Sequence, residues 1–174
     1  LLGVSALVDL QDGKDDPDAS ITTVIGPFYV PGTPEAETGA DLIGDNDGER
    51  VVVEGQVRNT TGEPVSGATL EIEHNLRCTL HADEQGRYSF STVKPIPYQV
   101  PDDGAGGELV RVAGRHCWRP AHIHVMINAQ GYKRHISQIF NEADPYIDQD
   151  SVFGVRADLA VPFDRVPSNE EVTR

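Results

Sequence analysis

The sequence predicts a mainly β protein: an antiparallel β-sandwich with long loops, preceded by the remnant of an N-terminal helical region. Three observations carry that expectation. From Arg50 onward, short runs rich in β-branched residues alternate with turns that hold Gly and Pro. Hydrophobic residues make up 38% of the chain, with 12 Pro and 17 Gly, which suits a turn-rich globular fold and excludes a coiled coil or a disordered tail. At 174 residues one domain is the default, and the chain is long enough to bury a core.

Taken in order, Leu1, Val4, Leu7, Val8 and Leu10 recur at three- and four-residue spacing, as in the last turns of an amphipathic helix. The start is apolar and lacks an initiator Met, so the chain is read as beginning inside something longer. The apolar stretch at 1–10 is too short for a membrane span and is broken by Gly3 and Asp9; it also lacks the basic start and cleavage site of a signal peptide. The acidic run QDGKDDPDAS reads as a surface linker. Residues 1–20 are therefore assigned to the end of a helical region with its linker, and 21–174 to a β-sandwich domain. Within ITTVIGPFYVPGTPEAETG the sequence suggests an edge strand and then an irregular loop.

VVVEGQVRN reads as a strand, TGEPVSGA as a turn, and ATLEIE as an alternating strand. CTLHADEQGRYSFSTV reads as two strand-like runs joined by a turn at Asp83–Gly86. This arrangement resembles the repeat unit of transthyretin-like sandwiches, which is a packing pattern without chemistry of its own. A Pro/Gly/Asp-rich loop at 95–107 follows, then strands at AHIHVMINA and HISQIFN.

Charge bounds the partners. Lys and Arg total 14 against 28 Asp and Glu, a net charge of −14, which repels nucleic acid and anionic membranes. Cys78 and Cys117 alone make no disulfide framework, in keeping with a reducing cytoplasm. The chemistry concentrates in GRHCWRPAHIHVMINAQGY. Residues two apart on a strand share a face, roughly 7 Å apart along it, so His122 and His124 can converge on one metal while Ile123, Val125 and Ile127 face a core. His116 and His135 are available to complete a histidine cluster, and zinc, copper and iron all accept imidazole. A copper or zinc protein of cupin type would need further His and Glu ligands on neighbouring strands, and no glutamate stands at a suggestive spacing. Singly, each residue has an ordinary reading: Tyr98 as a packing residue in a rigid loop, Arg119 as a surface charge, Gln138 as a sheet hydrogen bond.

Together they form an ordered string: P-x-P-Y-x-x-P-x-D-G, then G-R-H-x-W-R-P-A-H-I-H, then G-Y and Q-I-F. With GPFYVPG and NLRCTLHADEQGRYSF upstream and DPYIDQDSVFGV downstream, it resembles the intradiol ring-cleaving dioxygenases from about Thr22 to Leu159. Trp118, the PYQVP loop and VFGV look most like the hydroxyquinol 1,2-dioxygenase branch, with catechol 1,2-dioxygenases the nearest competitor.

That resemblance implies a mononuclear Fe(III) with Tyr98, His122 and His124 among its ligands. It also implies a small aromatic diol and O2 as substrates, and cis,cis-muconate or maleylacetate as product. Phenolate is a hard anionic donor that favours Fe(III). Tyr98 matches the tyrosine that leaves the iron and takes a proton when substrate binds. Arg119 matches the arginine beside the ring, and Gln138 a glutamine behind the ligands. Phe28, Val100 and Pro101 are the expected wall of the ring pocket, together with Arg119. A cytoplasmic homodimer is the expected setting.

The sequence also departs from the family. The family carries a segment between LEI and NLRC that opens on a tryptophan and holds, within a G-x-Y, the tyrosine that stays on the iron. Here Leu70–Glu71–Ile72 runs almost directly into His74–Asn75–Leu76–Arg77–Cys78, and no tyrosine lies between Tyr29 and Tyr88. Tyr88 falls in a structural strand pattern and is not promoted to a ligand. Either the residues at hand omit a segment that the intact gene encodes, or the segment is deleted. The first is favoured, because every other site element is intact. The second would leave at most three protein ligands, and a degenerate binding protein becomes the competing reading.

Overall fold

The computed structural model describes residues 3–12, 18–73 and 76–163. Leu1, the middle of the acidic linker, His74, Asn75 and the end of the chain lie outside the described residues. The helical expectation is met by α1 (Val4–Asp12), whose Val4, Leu7 and Val8 stay exposed while Ala6 is buried.

The strands are β1 (Glu35–Glu37), β2 (Ala40–Asp41), β3 (Arg50–Gln56), β4 (Thr69–Glu73), β5 (Cys78–His81), β6 (Arg87–Val93), β7 (Tyr98–Gln99), β8 (Trp118–Arg119), β9 (His122–Asn128), β10 (His135–Asn141) and β11 (Ala160–Val161). One sheet has six strands in the order β1-β5-β4-β9-β10-β11, a second has three in the order β2-β6-β3, and β7 and β8 form a separate pair. The central ladders are antiparallel as expected, whereas the outer strands β1, β2 and β11 pair in parallel.

The two larger sheets close on one core. Leu70 and Ile72 of β4, Leu80 of β5, Ile123 and Val125 of β9, and Phe90 of β6 are all essentially excluded from water. Each such side chain contributes roughly 1.5–3 kcal/mol by leaving water.

One local expectation is met and extended, and two are corrected. β5 and β6 are joined by the expected turn, with Asp83 Oδ1 accepting from the amides of Gln85 and Arg87, but they enter different sheets. The turn is thus a corner that carries the chain between layers. Residues 18–34 form no strand; Thr23 donates one amide bond to the Ile136 carbonyl along β10. The Pro-rich stretch after β7 leads into α2 (Ala105–Val112), which the two glycines at 106 and 107 disguise in the sequence. Gly107 is required there, because a Cβ would fall 2.0 Å from the Asp102 carbonyl oxygen.

Candidate active site

β9 builds the site by strand alternation. Its odd residues face the core, and His122, His124 and Met126 lie on the opposite face of the sheet, where His122 and Met126 are also buried. The register fixes their neighbours: Gln138 and Glu73 stand beside His124 from β10 and β4, and Phe140 stands beside His122. The two imidazole Nε2 atoms lie 3.2 Å apart. That is the separation of two nitrogens that share one ion at about 2.0–2.1 Å. His122 Nδ1 donates to the Pro120 carbonyl at 2.7 Å, which fixes the tautomer and leaves Nε2 as the ring's acceptor. Gly26, at φ +80°, lies over His124; a Cβ there would come within 3.2 Å of Cε1, so the G of GPFY is needed both for its conformation and for its size.

Tyr98 is brought to the same place by the β7–β8 pair, in which it stands opposite Arg119. This corrects the loop assignment: the residue sits in a short strand, and cross-strand neighbours share a face. Its ring lies 5.6 Å from the His122 ring centroid, and Phe28 meets it edge-on at 6.5 Å. Phe28 is 59% exposed. Val100 is tied by its amide to the Cys117 carbonyl and Pro101 is exposed, so their place in a pocket wall stays an expectation.

Arg119 is not a surface charge. It is 3% exposed and paired to the equally buried Asp150. Its Nη1 donates to His122 Nε2 at 2.9 Å and its Nη2 to Gln138 Oε1 at 2.9 Å. Gln138, 1% exposed, donates in turn to the Val24 carbonyl, so its bonds support the arginine rather than the sheet.

The spare histidines go elsewhere. His116 accepts the Trp118 amide through Nδ1 and packs on Tyr146, and His135 stands opposite Ile127 on the side away from the site. Burial depresses the His135 pKa below its ordinary 6.5. Among the described residues, no three His, Cys, Asp or Glu side chains gather as a metal site. A metal here therefore depends on Tyr98 as third donor, and one phenol with two imidazoles fits a hard, trivalent ion.

Ile72 pairs with Cys78, so β4 and β5 run antiparallel up to the point where the expected tyrosine segment is absent from the sequence. Glu73 is buried at 6% exposure, with Arg77 Nε 3.4 Å away. Burial raises its pKa.

Residues 72–174 match the family model described as Dioxygenase. The chain belongs to the intradiol dioxygenase family. Among curated family members, it is 40% identical to a hydroxyquinol 1,2-dioxygenase of Rhizobium sp. (strain MTP-10005), covering 95% of this chain and 62% of that protein. It is 38% identical to a catechol 1,2-dioxygenase of Pseudomonas sp. (strain EST1001), covering 97% and 64%. A crystal structure of hydroxyquinol 1,2-dioxygenase from Pseudomonas putida DLL-E4 superposes with a TM-score of 0.92 at 37% identity, over 98% of this chain and 65% of that one. The chain thus spans less than two thirds of the length of these family members. The alignment to the Rhizobium protein extends over 184 positions, more than the 174 residues here, so this chain is gapped against it.

Three supporting residues escaped the sequence reading. Asp144 and Asp150 stand in DPYIDQDSVFGV, a string noticed only for its resemblance, and Glu73 ends the strand run TLEIE. The available signal was chemical: each is a carboxylate within an otherwise apolar or turn-forming run.

Proposed function

We propose that this chain is the catalytic sandwich of a non-haem Fe(III) intradiol dioxygenase. Its substrate is a catechol-type diol, opened with O2 between the hydroxylated carbons: hydroxyquinol to maleylacetate, or catechol to cis,cis-muconate. The observation that carries this reading is the convergence of the His122 and His124 Nε2 atoms beside Tyr98 and a buried Arg119. Tyr98, His122 and His124 would hold the iron. A ferric ion held there would supply Lewis acidity that favours ionisation of the diol's hydroxyls.

The protein's own groups then have separate tasks. Tyr98 Oη takes a proton from the incoming diol. Arg119 presents a fixed positive charge to the anionic ring, aimed before the reaction begins. Phe28, with Val100 and Pro101, forms the apolar wall against which a flat ring lies. The setting we infer is a cytoplasmic homodimer. Two free buried thiols, Cys78 and Cys117, and the exposed Val4, Leu7 and Val8 of α1 support it. Among the described residues no helix is long and apolar enough to cross a membrane.

A second reading has its own observation. The stretch from Ile72 to Cys78 holds no tyrosine, which leaves Tyr98 as the one phenol assigned to the site, so iron would be held less firmly in the ferric state. A degenerate sandwich that binds an aromatic without turnover follows from that. Loading the protein with Fe(III) and measuring iron content, the visible charge-transfer band and O2 uptake separates the two. Stoichiometric iron, a weak band and uptake with hydroxyquinol or catechol supports the dioxygenase. Iron or diol binding without uptake supports the degenerate protein, and stoichiometric zinc with no iron removes both.

A further inference from the structure

The geometry points to segment 144–154 as a clamp that positions Arg119. The Asp150 carboxylate holds two of the guanidinium nitrogens and leaves Nη1 facing the imidazole pair. Asp150 Oδ1 accepts from Arg119 Nε at 3.0 Å and from the Val152 amide at 3.3 Å. Its Oδ2 accepts from Arg119 Nη2 at 3.2 Å and from the Gly154 amide at 2.8 Å. A carboxylate pinned by two backbone amides cannot follow the arginine, so the arginine must follow it.

Two further features belong to the same device. Gly154 makes room, since a Cβ there would lie 2.9 Å from Arg119 Nη2 and 3.1 Å from Asp150 Oδ2. Asp144 Oδ2 accepts the Ala121 amide at 2.9 Å, while its Oδ1 accepts the Tyr146 amide, which sets the backbone immediately before His122. Gln138 closes the far side of the guanidinium at 2.9 Å. With Nε and Nη2 spoken for, Nη1 is the end of the fork that meets His122, at 2.9 Å. Asp150 and Gly154 are thus positioning residues: they set where the positive charge stands without reaching the ring themselves. An Arg–carboxylate fork is bidentate and planar, so it fixes orientation as well as distance.

The catalytic half of this inference rests on the ring-cleavage reading, and the conformational half does not. The test compares wild type, Asp150→Asn and Gly154→Ala in the full chain. Asp150→Asn keeps the shape and removes the charge; Gly154→Ala keeps the charge and crowds it. In 15N-labelled protein, with Arg119→Lys to assign the signals, the Arg119 guanidinium should give separate, slowly rotating Nη resonances in wild type and averaged ones in both variants. In iron-loaded protein, kcat per bound iron should fall about 100-fold, with KM changing far less, as expected when a charge is displaced by about an ångström. A merely structural role would lower iron occupancy and Tm together and leave kcat per bound iron unchanged. The clamp is overturned if the Arg119 resonances stay resolved in both variants, or if kcat per bound iron stays within twofold of wild type. Should wild type itself cleave no diol, the ring-cleavage reading falls, and the guanidinium spectra alone decide the clamp.

Discussion

Tyr98 and the two imidazoles divide the work of a metal site unequally. His122 and His124 converge by strand geometry alone, and they would gather many divalent ions; the phenol is what selects a trivalent one. Tyr98→Phe should therefore keep metal binding but lose the visible charge-transfer band of the iron-loaded protein, read by absorbance beside metal analysis. His122→Ala should lose the iron itself. Arg119→Lys keeps the charge but gives up the fork that reaches Asp150, Gln138 and His122 together. Its kcat/KM for the diol should fall roughly 100- to 1,000-fold, the range for removing one aimed donor. Cys78 behaves as a core atom: burial pushes its thiol up to about 11. It should stay unlabelled by iodoacetamide in native protein at neutral pH and react on unfolding, which mass spectrometry resolves.

At the scale of elements, much of this was legible. β9 reads directly from HIHVMIN, because the alternation that sets Ile123 and Val125 in the core also puts both histidines on the other face of the sheet. Gln138 follows, since a hairpin partner of β9 places one residue opposite His124. What escaped the sequence depends on contacts remote along the chain. The β5–β6 corner looks like a hairpin because turn chemistry at Asp83 is local, while the choice of sheet is made by Leu80 and Phe90 meeting across the core. Asp150 grips Arg119 from thirty-one residues away, a pairing that no spacing rule encodes. The element most exposed to a single substitution is β4. Leu70 is wholly buried, and Leu70→Ala should cost about 2–5 kcal/mol in urea unfolding, the range for a core cavity. β10 carries the pH sensitivity. The depressed His135 pKa means that the unfolded chain binds a proton more readily than the folded one, so stability is lost as pH falls through 6.5 toward the folded value. His135→Gln should flatten that part of a Tm-against-pH profile.

For the molecule as a whole, the charge excess sets a different balance. Exposed ion pairs such as Arg50–Asp41 and Arg111–Asp102 contribute about 0–1 kcal/mol each and weaken as salt is added. Against them stands a net charge of −14, whose mutual repulsion the folded state concentrates into a small volume. Salt screens both, but with 28 Asp and Glu against 14 Lys and Arg an excess of carboxylates remains whatever pairs form, so relief of repulsion prevails. The Arg119–Asp150 pair is buried and is screened far less, which leaves the site's own geometry outside this balance. Raising NaCl from about 0.01 to about 0.15 M, which shortens the Debye length from roughly 30 to roughly 8 Å, should therefore increase Tm. The guanidinium signal of Arg119 should not change over the same range. A falling Tm would mean that the exposed pairs, and not the excess of carboxylates, govern the electrostatics of this sandwich.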